Sequence, residues 1–304
     1  MTTLKNPTTR ATGVLLLATL IWGSTFVLVD SVVNAVAVHT FLALRFIIAF
    51  IALVALRPSG LRQLTAQTWR RGVLLGIALG VGYAAQTAGL AAGTLPTVSG
   101  FITGLFVVLT PLLSAWWFRT RIGWVTAAAI AVATLGLGLL TLVHGHIGGG
   151  EWLTGLCAIA FSAQIVLLGR WATPQNTLAL VLIQLLTVAV SETVIALIVD
   201  RPVAIPHNIG PWASIVFLAL AATVYGFLAQ TWAQAHMTAT RAAVIMTAEP
   251  MFAALAGVIA GDRLRPRQLV GAALVLAAMY LVELSPGHRG GRESAEGTLP
   301  HLEP

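Results

Sequence analysis

The sequence predicts an all-α integral membrane protein of about ten transmembrane helices, arranged as two inverted five-helix repeats. Three observations predict it. Hydrophobic residues make up 58% of the chain and charged residues only 9%, at a mean hydropathy of +0.90. A water-soluble domain of that composition would carry a very large exposed apolar surface. The apolar segments are long and unbroken, near the roughly 20 residues a spanning helix needs, whereas a membrane barrel shows short segments of alternating polarity. The same landmarks also recur in order. Trp22 and Phe161, Arg45 and Gln184, and Pro111 and Pro250 each stand 139 positions apart, and Ala85-Gln86-Thr87 returns as Ala229-Gln230-Thr231 at an offset of 144. Duplicated halves of this kind mark many transporter folds, whose sites lie between the repeats near the bilayer midplane.

Spans are expected near 11–29, 36–56, 72–92, 98–118, 123–143, 152–169, 177–199, 212–235, 239–260 and 268–284. The first repeat is then 11–143 and the second 150–284. Five spans per half is an odd number, which inverts the second half relative to the first. Residues 285–304, rich in Gly, Pro, Glu and Arg, are expected to be a disordered cytoplasmic tail. The first span follows Lys5 and Arg10 and precedes Ala35-Val36-Ala37, the outline of a signal peptide. Its apolar run exceeds the ~7–15 residues of a signal core, and it aligns with an internal span of the second half, so it is expected to be retained.

The net charge of +7 and the pI near 11 come from basic residues scattered between spans rather than gathered on one face, so no nucleic-acid partner is implied. Topology accounts for them. With a cytoplasmic N-terminus, Lys5, Arg10, Arg57, Arg62, Arg70, Arg71, Arg119, Arg121, Arg170, Arg241, Arg289 and Arg292 fall inside, as the positive-inside rule requires. Arg201, Arg263, Arg265 and Arg267 fall outside. Cys157 is the only cysteine, which excludes an intrachain disulfide and thiolate metal clusters. His144 and His146 share a Gly-rich loop with Glu151, three potential ligands without a fixed scaffold, and no metal is assigned to them.

Several local patterns, in this order, resemble the drug/metabolite transporter superfamily and its ten-helix family of paired EamA domains. They are Trp22-Gly23-Ser24-Thr25-Phe26, Arg45-Phe46, Gly100-Phe101-Ile102-Thr103-Gly104-Leu105 leading to Thr110-Pro111-Leu112-Leu113, and Ala239-Thr240-Arg241-Ala242-Ala243 leading to Glu249-Pro250-Met251-Phe252. Gly261-Asp262-Arg263-Leu264 completes the set. The resemblance implies an inner-membrane, multi-pass transporter of small organic solutes, often directed outward. Its cavity would be lined chiefly by spans one, three and four and their counterparts six, eight and nine. The chain departs from the family pattern twice. Arg119-Thr120-Arg121-Ile122 stands where the second half has Gly261-Asp262-Arg263-Leu264, and Phe161-Ser162-Ala163 replaces the more usual aromatic-Ala pair.

Ionisable groups within hydrocarbon cost roughly 2.5–3.5 kcal/mol on insertion scales, so those that persist face a cavity, a partner or water. Arg45, Glu192 and Glu249 are the candidates. Arg45, whose aligned partner Gln184 keeps hydrogen bonding without charge, is either a structural or snorkelling head or a cavity group. Glu192 lies nearer the outer end, where it either reaches interfacial water or serves function. Glu249 precedes Pro250, whose missing N–H and ring are expected to free a carbonyl near Met246 and kink the helix. Pro111 is expected to do the same near Val107. Paired helix breaks at matching places point to a transporter site. There Glu249 would accept a substrate ammonium or cycle a proton, or else fix an interhelical hydrogen bond, while its counterpart Thr110 offers a hydroxyl.

Helical spacing groups Trp22 with Thr25 and Phe26, Tyr83 with Gln86 and Thr87, and Thr103 with Phe106 and Thr110. Gln164 on span six, and Tyr225 and Trp232 on span eight, extend the candidate substrate-binding set. Each such stripe also fits ordinary helix packing. The other Trp residues fall at span ends, where interfacial belts place them. Gly76 with Gly80 and Gly100 with Gly104 form small-xxx-small packing patterns.

The expected function is a secondary-active transporter, an exporter of small metabolites such as amino acids or amphipathic compounds, alternating access around that cavity. No cofactor is implied. The sequence lacks a Walker motif, His-Glu-x-x-His and a Gly-x-Ser-Gly arrangement. A lipid or lipid-linked sugar translocator is the alternative, and an intramembrane enzyme a more distant one. The implied partners are a small-molecule substrate and the bilayer, and a homo-oligomer is compatible with the sequence.

Overall fold

In lipid a backbone must satisfy its own N–H and C=O groups, so the apolar runs become helices and the turn residues mark where they stop. The structure, a computed structural model, describes residues 7–118, 123–141, 147–237, 239–246 and 248–284. Lys5, the Arg119–Ile122 stretch, His144, His146 and the tail lie outside the described residues. The helices are α1 (Pro7–Val33), α2 (Val38–Leu56), α3 (Ala66–Ala91), α4 (Pro96–Gly104), α5 (Phe106–Phe118), α6 (Trp124–Thr141) and α7 (Gly149–Trp171). They continue as α8 (Thr177–Val199), α9 (Ile209–Phe217), α10 (Gly226–Gln234), α11 (Ala239–Ile245), α12 (Ala248–Ala260) and α13 (Pro266–Leu284). A π-helical segment, Leu218–Tyr225, joins α9 to α10. Counting α4 with α5, α9 with α10, and α11 with α12 as one span each gives ten spans in two repeats. Among the described residues there is no strand.

Local chemistry sets the ends. The Thr65 hydroxyl caps α3 by accepting the Thr68 N–H at 3.1 Å. Gly93 at φ +91° and Gly261 at φ +110° close the third and ninth spans with the same C-terminal motif. The N–H groups of Thr94 and Asp262 reach back to the carbonyls of Gly89 (3.2 Å) and Gly257 (2.9 Å). Pro96 and Pro266 open α4 and α13, where a missing N–H costs nothing.

The repeats interlock rather than sit side by side. The second and third spans pack on the seventh, the third also on the sixth, the first on the eighth and ninth, and the fifth on the tenth. Small residues permit the approach. A Cβ at Gly136 would stand 2.7 Å from the Gly271 carbonyl, and one at Gly23 would stand 2.5 Å from the Glu249 carbonyl. Two carboxylates stitch counterpart spans together at one face. Asp200 accepts the Thr40 N–H (2.7 Å) and hydroxyl (3.0 Å), and Asp262 accepts the Thr97 N–H (3.1 Å) and hydroxyl (2.6 Å). Both sit at helix N-termini, where negative charge is favoured. The perimeter exposes Leu20, Ile51, Leu135, Ile159, Ile198 and Leu255, as a surface solvated by lipid requires.

The breaks differ from those expected of the prolines. The fourth span is interrupted at Leu105, just after Gly104, while Pro111 lies inside the continuous α5. Glycine is a weak helix former, and here the break follows Gly104 rather than Pro111. In the ninth span α11 ends at Ile245 and α12 starts at Ala248. Pro250 therefore falls in the first turn of α12, among N–H groups without intrahelical partners, and the Met246 carbonyl is not free but accepts the Glu249 N–H at 3.0 Å.

Candidate functional site

A cavity of about 40 Å³ lies between the repeats. From the first repeat it takes Trp22, Thr25, Phe26 and Val29 on α1, Arg45 on α2, Leu79, Tyr83 and Gln86 on α3, and Phe106 at the start of α5. The second repeat supplies Phe161, Gln164 and Ile165 on α7, Phe227 and Gln230 on α10, Met246, and Glu249 on α12. Tyr83 is the hub of the aromatic wall, with Phe46, Phe161 and Phe227 at centroid distances of 5.2, 5.3 and 6.0 Å. Edge-on rings at that spacing hold one another in place.

Polar contacts fix the wall. The Trp22 indole N–H donates to the Ala222 carbonyl in the π segment at 2.7 Å. In the same segment the Thr223 hydroxyl donates to Leu218 O at 2.9 Å and accepts Arg45 Nε at 2.8 Å. The Arg45 guanidinium also sits 4.7 Å from the Tyr83 ring centroid, with one Nη 3.4 Å from the Tyr83 hydroxyl. π-turns recur at functional sites because they displace backbone groups from the α ladder. On the far wall Gln230 donates to Gln164 (3.1 Å), Gln164 to Gln184 (3.0 Å), and Gln184 to Leu180 O (3.2 Å).

Glu249 stands apart from these networks. It is 6% exposed, and among the described residues neither carboxylate oxygen has a hydrogen bond or ion pair. Its place in the first turn of α12 sets it beside a helix N-terminus. Arg45 is 2% exposed and makes no ion pair with it.

The structure brings Trp22, Thr25, Tyr83, Gln86, Phe106, Gln164, Arg45 and Glu249 to one cavity. Gln184 and Thr103 stand behind the wall, the latter accepting Gln86 Nε2 at 3.1 Å. Three candidates point elsewhere. Thr110 does not face Glu249 across a paired break; its hydroxyl donates to Phe106 O at 2.6 Å and lies 3.3 Å from Ser162 Oγ. Tyr225 turns away to donate to Val14 O at 3.1 Å, and the Trp232 ring lies against His236 at 4.6 Å. Tyr225 and Trp232 do share one side of the eighth span, two turns apart, but it is Phe227 and Gln230 on another side that line the cavity. Glu192 is 1% exposed rather than wetted at the interface, because His39 Nδ1 meets it at 2.8 Å.

Sequence reasoning did not assign Phe161, Ile165, Phe227, Gln230 or Met246 to the cavity. Four had a signal as repeat partners: Gln230 of Gln86 and Phe227 of Tyr83 at an offset of 144, and Phe161 of Trp22 and Ile165 of Phe26 at 139. Met246 had none, since apolar residues lie on every side of these helices.

A two-repeat, all-helical bundle with interrupted spans and a charged, aromatic-walled cavity at the repeat interface defines the class of multi-pass membrane transporters. The EamA-like transporter family matches residues 10–142 and 149–284, and the chain belongs to that family. It is 30% identical over 271 residues to an uncharacterized transporter of Archaeoglobus fulgidus, covering 89% of this chain and 84% of that one. A solved crystal structure at 21% identity superposes with a TM-score of 0.68 over 92% of this chain and 99% of its own, a likeness of fold.

Proposed function

We propose that the protein is a secondary-active exporter of small organic metabolites, amino acids or amphipathic compounds among them. It works by alternating access around the cavity between the repeats taken as 11–143 and 150–284. In this reading Trp22, Thr25, Tyr83, Gln86, Phe106, Gln164 and Glu249 contact the solute, and it operates in the inner membrane with both termini cytoplasmic. One observation carries the reading: Glu249, buried and without a partner among the described residues, faces a cavity to which both repeats contribute. An unpaired acid within the bilayer is expensive unless it serves a pathway. At about 40 Å³ the cavity has room for about three waters, at roughly 10–15 Å³ each. A metabolite therefore enters only as the walls part, which is the motion alternating access supplies.

The test is solute flux in proteoliposomes, using labelled amino acids. Glu249→Gln is expected to lower flux by about 10- to 100-fold, the scale of one lost charge-assisted hydrogen bond. Trp22→Ala should lower it as well. Both proteins should remain folded by size-exclusion profile, and undiminished flux in both would remove the assigned site.

A further inference from the structure

The second and seventh spans pack on each other, and the two ends of that seam differ in chemistry. At the outer end His39, in the first turn of α2, presents Nδ1 at 2.8 Å to a carboxylate oxygen of Glu192 on α8. One residue on, the Thr40 N–H and hydroxyl both donate to Asp200, which directly follows α8. The repeat offset of 139 gives each of these a counterpart at the cytoplasmic end. Leu178 stands for His39, Leu53 for Glu192, Ala179 for Thr40 and Leu61 for Asp200. Leu53 and Leu178 belong to the apolar core. One junction can titrate, and its twin cannot.

The pair is placed to exchange a proton with water. The Glu192 side chain is 2% exposed and the His39 side chain 22%, so the imidazole is the route by which the proton comes and goes. Beyond His39, the charge that acts on Glu192 is Asp200, and it is negative. The surrounding elements bring no closer competitor. Arg201 turns back to donate to the Leu197 carbonyl, and Arg45, further along α2, is committed to Thr223 and Tyr83. Tyr83 is the titratable group of α3 on this half of the bilayer, while Arg57, Arg62, Arg70 and Arg71 lie at the opposite, cytoplasmic ends. The adjoining span Ile209–Gln234 carries one titratable side chain, Tyr225, which donates to Val14 O, and His207 in the loop before it is exposed. Asp30 on α1 interacts with Asp262 instead.

Taking the alternating access of the proposed function as the basis, we infer that His39 and Glu192 form a proton-binding latch at the outer face, in which one proton on the imidazole holds α2 of the first repeat to α8 of the second. With the proton bound, imidazolium and carboxylate make a charge-assisted hydrogen bond and the pair is neutral. Release of that proton to outer water removes the compensating charge. A carboxylate is then left buried at an apolar seam beside a second carboxylate, which favours the parted state in which water reaches both. Histidine is the side chain whose charge changes between about pH 5 and 8. The sign follows from where the proton is needed: the latch holds at the acid end of that range and lets go at the alkaline end. Because Leu53 and Leu178 occupy the twin junction, protons act on the outer opening and not on the inner one.

Thermal melts of the detergent-purified full chain at about pH 5.5 and about pH 8, the two sides of the histidine range, read the latch without any solute. The unsubstituted protein is expected to melt at a higher temperature at the acid value. His39→Gln combined with Glu192→Gln should flatten that dependence, because an amide pair keeps a hydrogen bond across the seam with no proton to bind. His207→Gln, at an exposed histidine off the seam, should leave it as it was. A flat profile in the unsubstituted protein overturns the inference without any variant having to fold, and so does a slope that survives the double substitution. Flux of labelled amino acids in proteoliposomes at the same two pH values tests the opening. The ratio of alkaline to acid flux should be about threefold or more greater in the unsubstituted protein than in the double variant, the scale of one partly exposed ion pair. Equal ratios overturn the control of the outer opening. Melts that follow the pattern while no labelled amino acid moves at either pH leave the latch standing and remove transport.

Discussion

The first and sixth spans meet the opposite repeat through the same backbone device, and differ in what they put there. Trp22 seats on Gly226 of the eighth span, where an added Cβ would stand 2.5 Å from its Nε1. Phe161 seats on Gly82 of the third span in the equivalent way. The indole has an N–H to give, and it reaches the Ala222 carbonyl; the phenyl ring has none. The acceptor side differs to match, for the eighth span carries the π segment while the third is one unbroken helix. Arg45 follows the same rule, crossing to Thr223, whereas Gln184 stays within its own half on Gln164. Duplication preserved the close approach of backbones. Divergence of the side chains gave the cavity its polarity.

Making the second half resemble the first is the severest way to break this comparison. Gln184→Arg would bury a guanidinium at a fully buried position whose amide partners cannot neutralise it. The expected cost is about 3–5 kcal/mol, the scale of an uncompensated buried charge, read as a large fall in melting temperature in detergent. An unchanged melting temperature would show that the halves are interchangeable. The seats themselves come next. Gly226→Ala and Gly82→Ala should each destabilise by roughly 1–3 kcal/mol through overpacking. Gly80→Ala, whose new methyl finds nothing closer than 3.6 Å, should be neutral or slightly stabilising by the same melt. Unequal costs at the two seats would show that only one half depends on close approach. Among the changes expected to destabilise, Trp22→Phe is the mildest, since it makes the first span like the sixth and deletes one hydrogen bond. About 1 kcal/mol is expected, with flux retained in part.

Much of the site was legible because polar residues in an apolar helix announce themselves. Trp22, Tyr83, Gln86, Gln164 and Glu249 were singled out for that reason and share one cavity. Tyr225 and Trp232 carried the same kind of signal and face elsewhere, because spacing shows which residues share a side of the span but not which side turns inward, and Phe227 and Gln230 take that place. The pairing of His39 with Glu192 spans 153 positions and left no trace in local spacing. Nor did the caps that Asp200 and Asp262 place on Thr40 and Thr97.

The sequence by itself determined the all-helical membrane fold, the ten spans and the two repeats. Those rest on composition, segment length and a constant offset, and a bilayer leaves the backbone no alternative to helix for such segments. Only the tertiary structure decided that the halves interlock, that the fourth span breaks at Leu105, and that Arg45 and Glu249 look into one space without touching. Helices that are apolar on every side have no periodicity to say which face turns inward, so packing against the other repeat settles it.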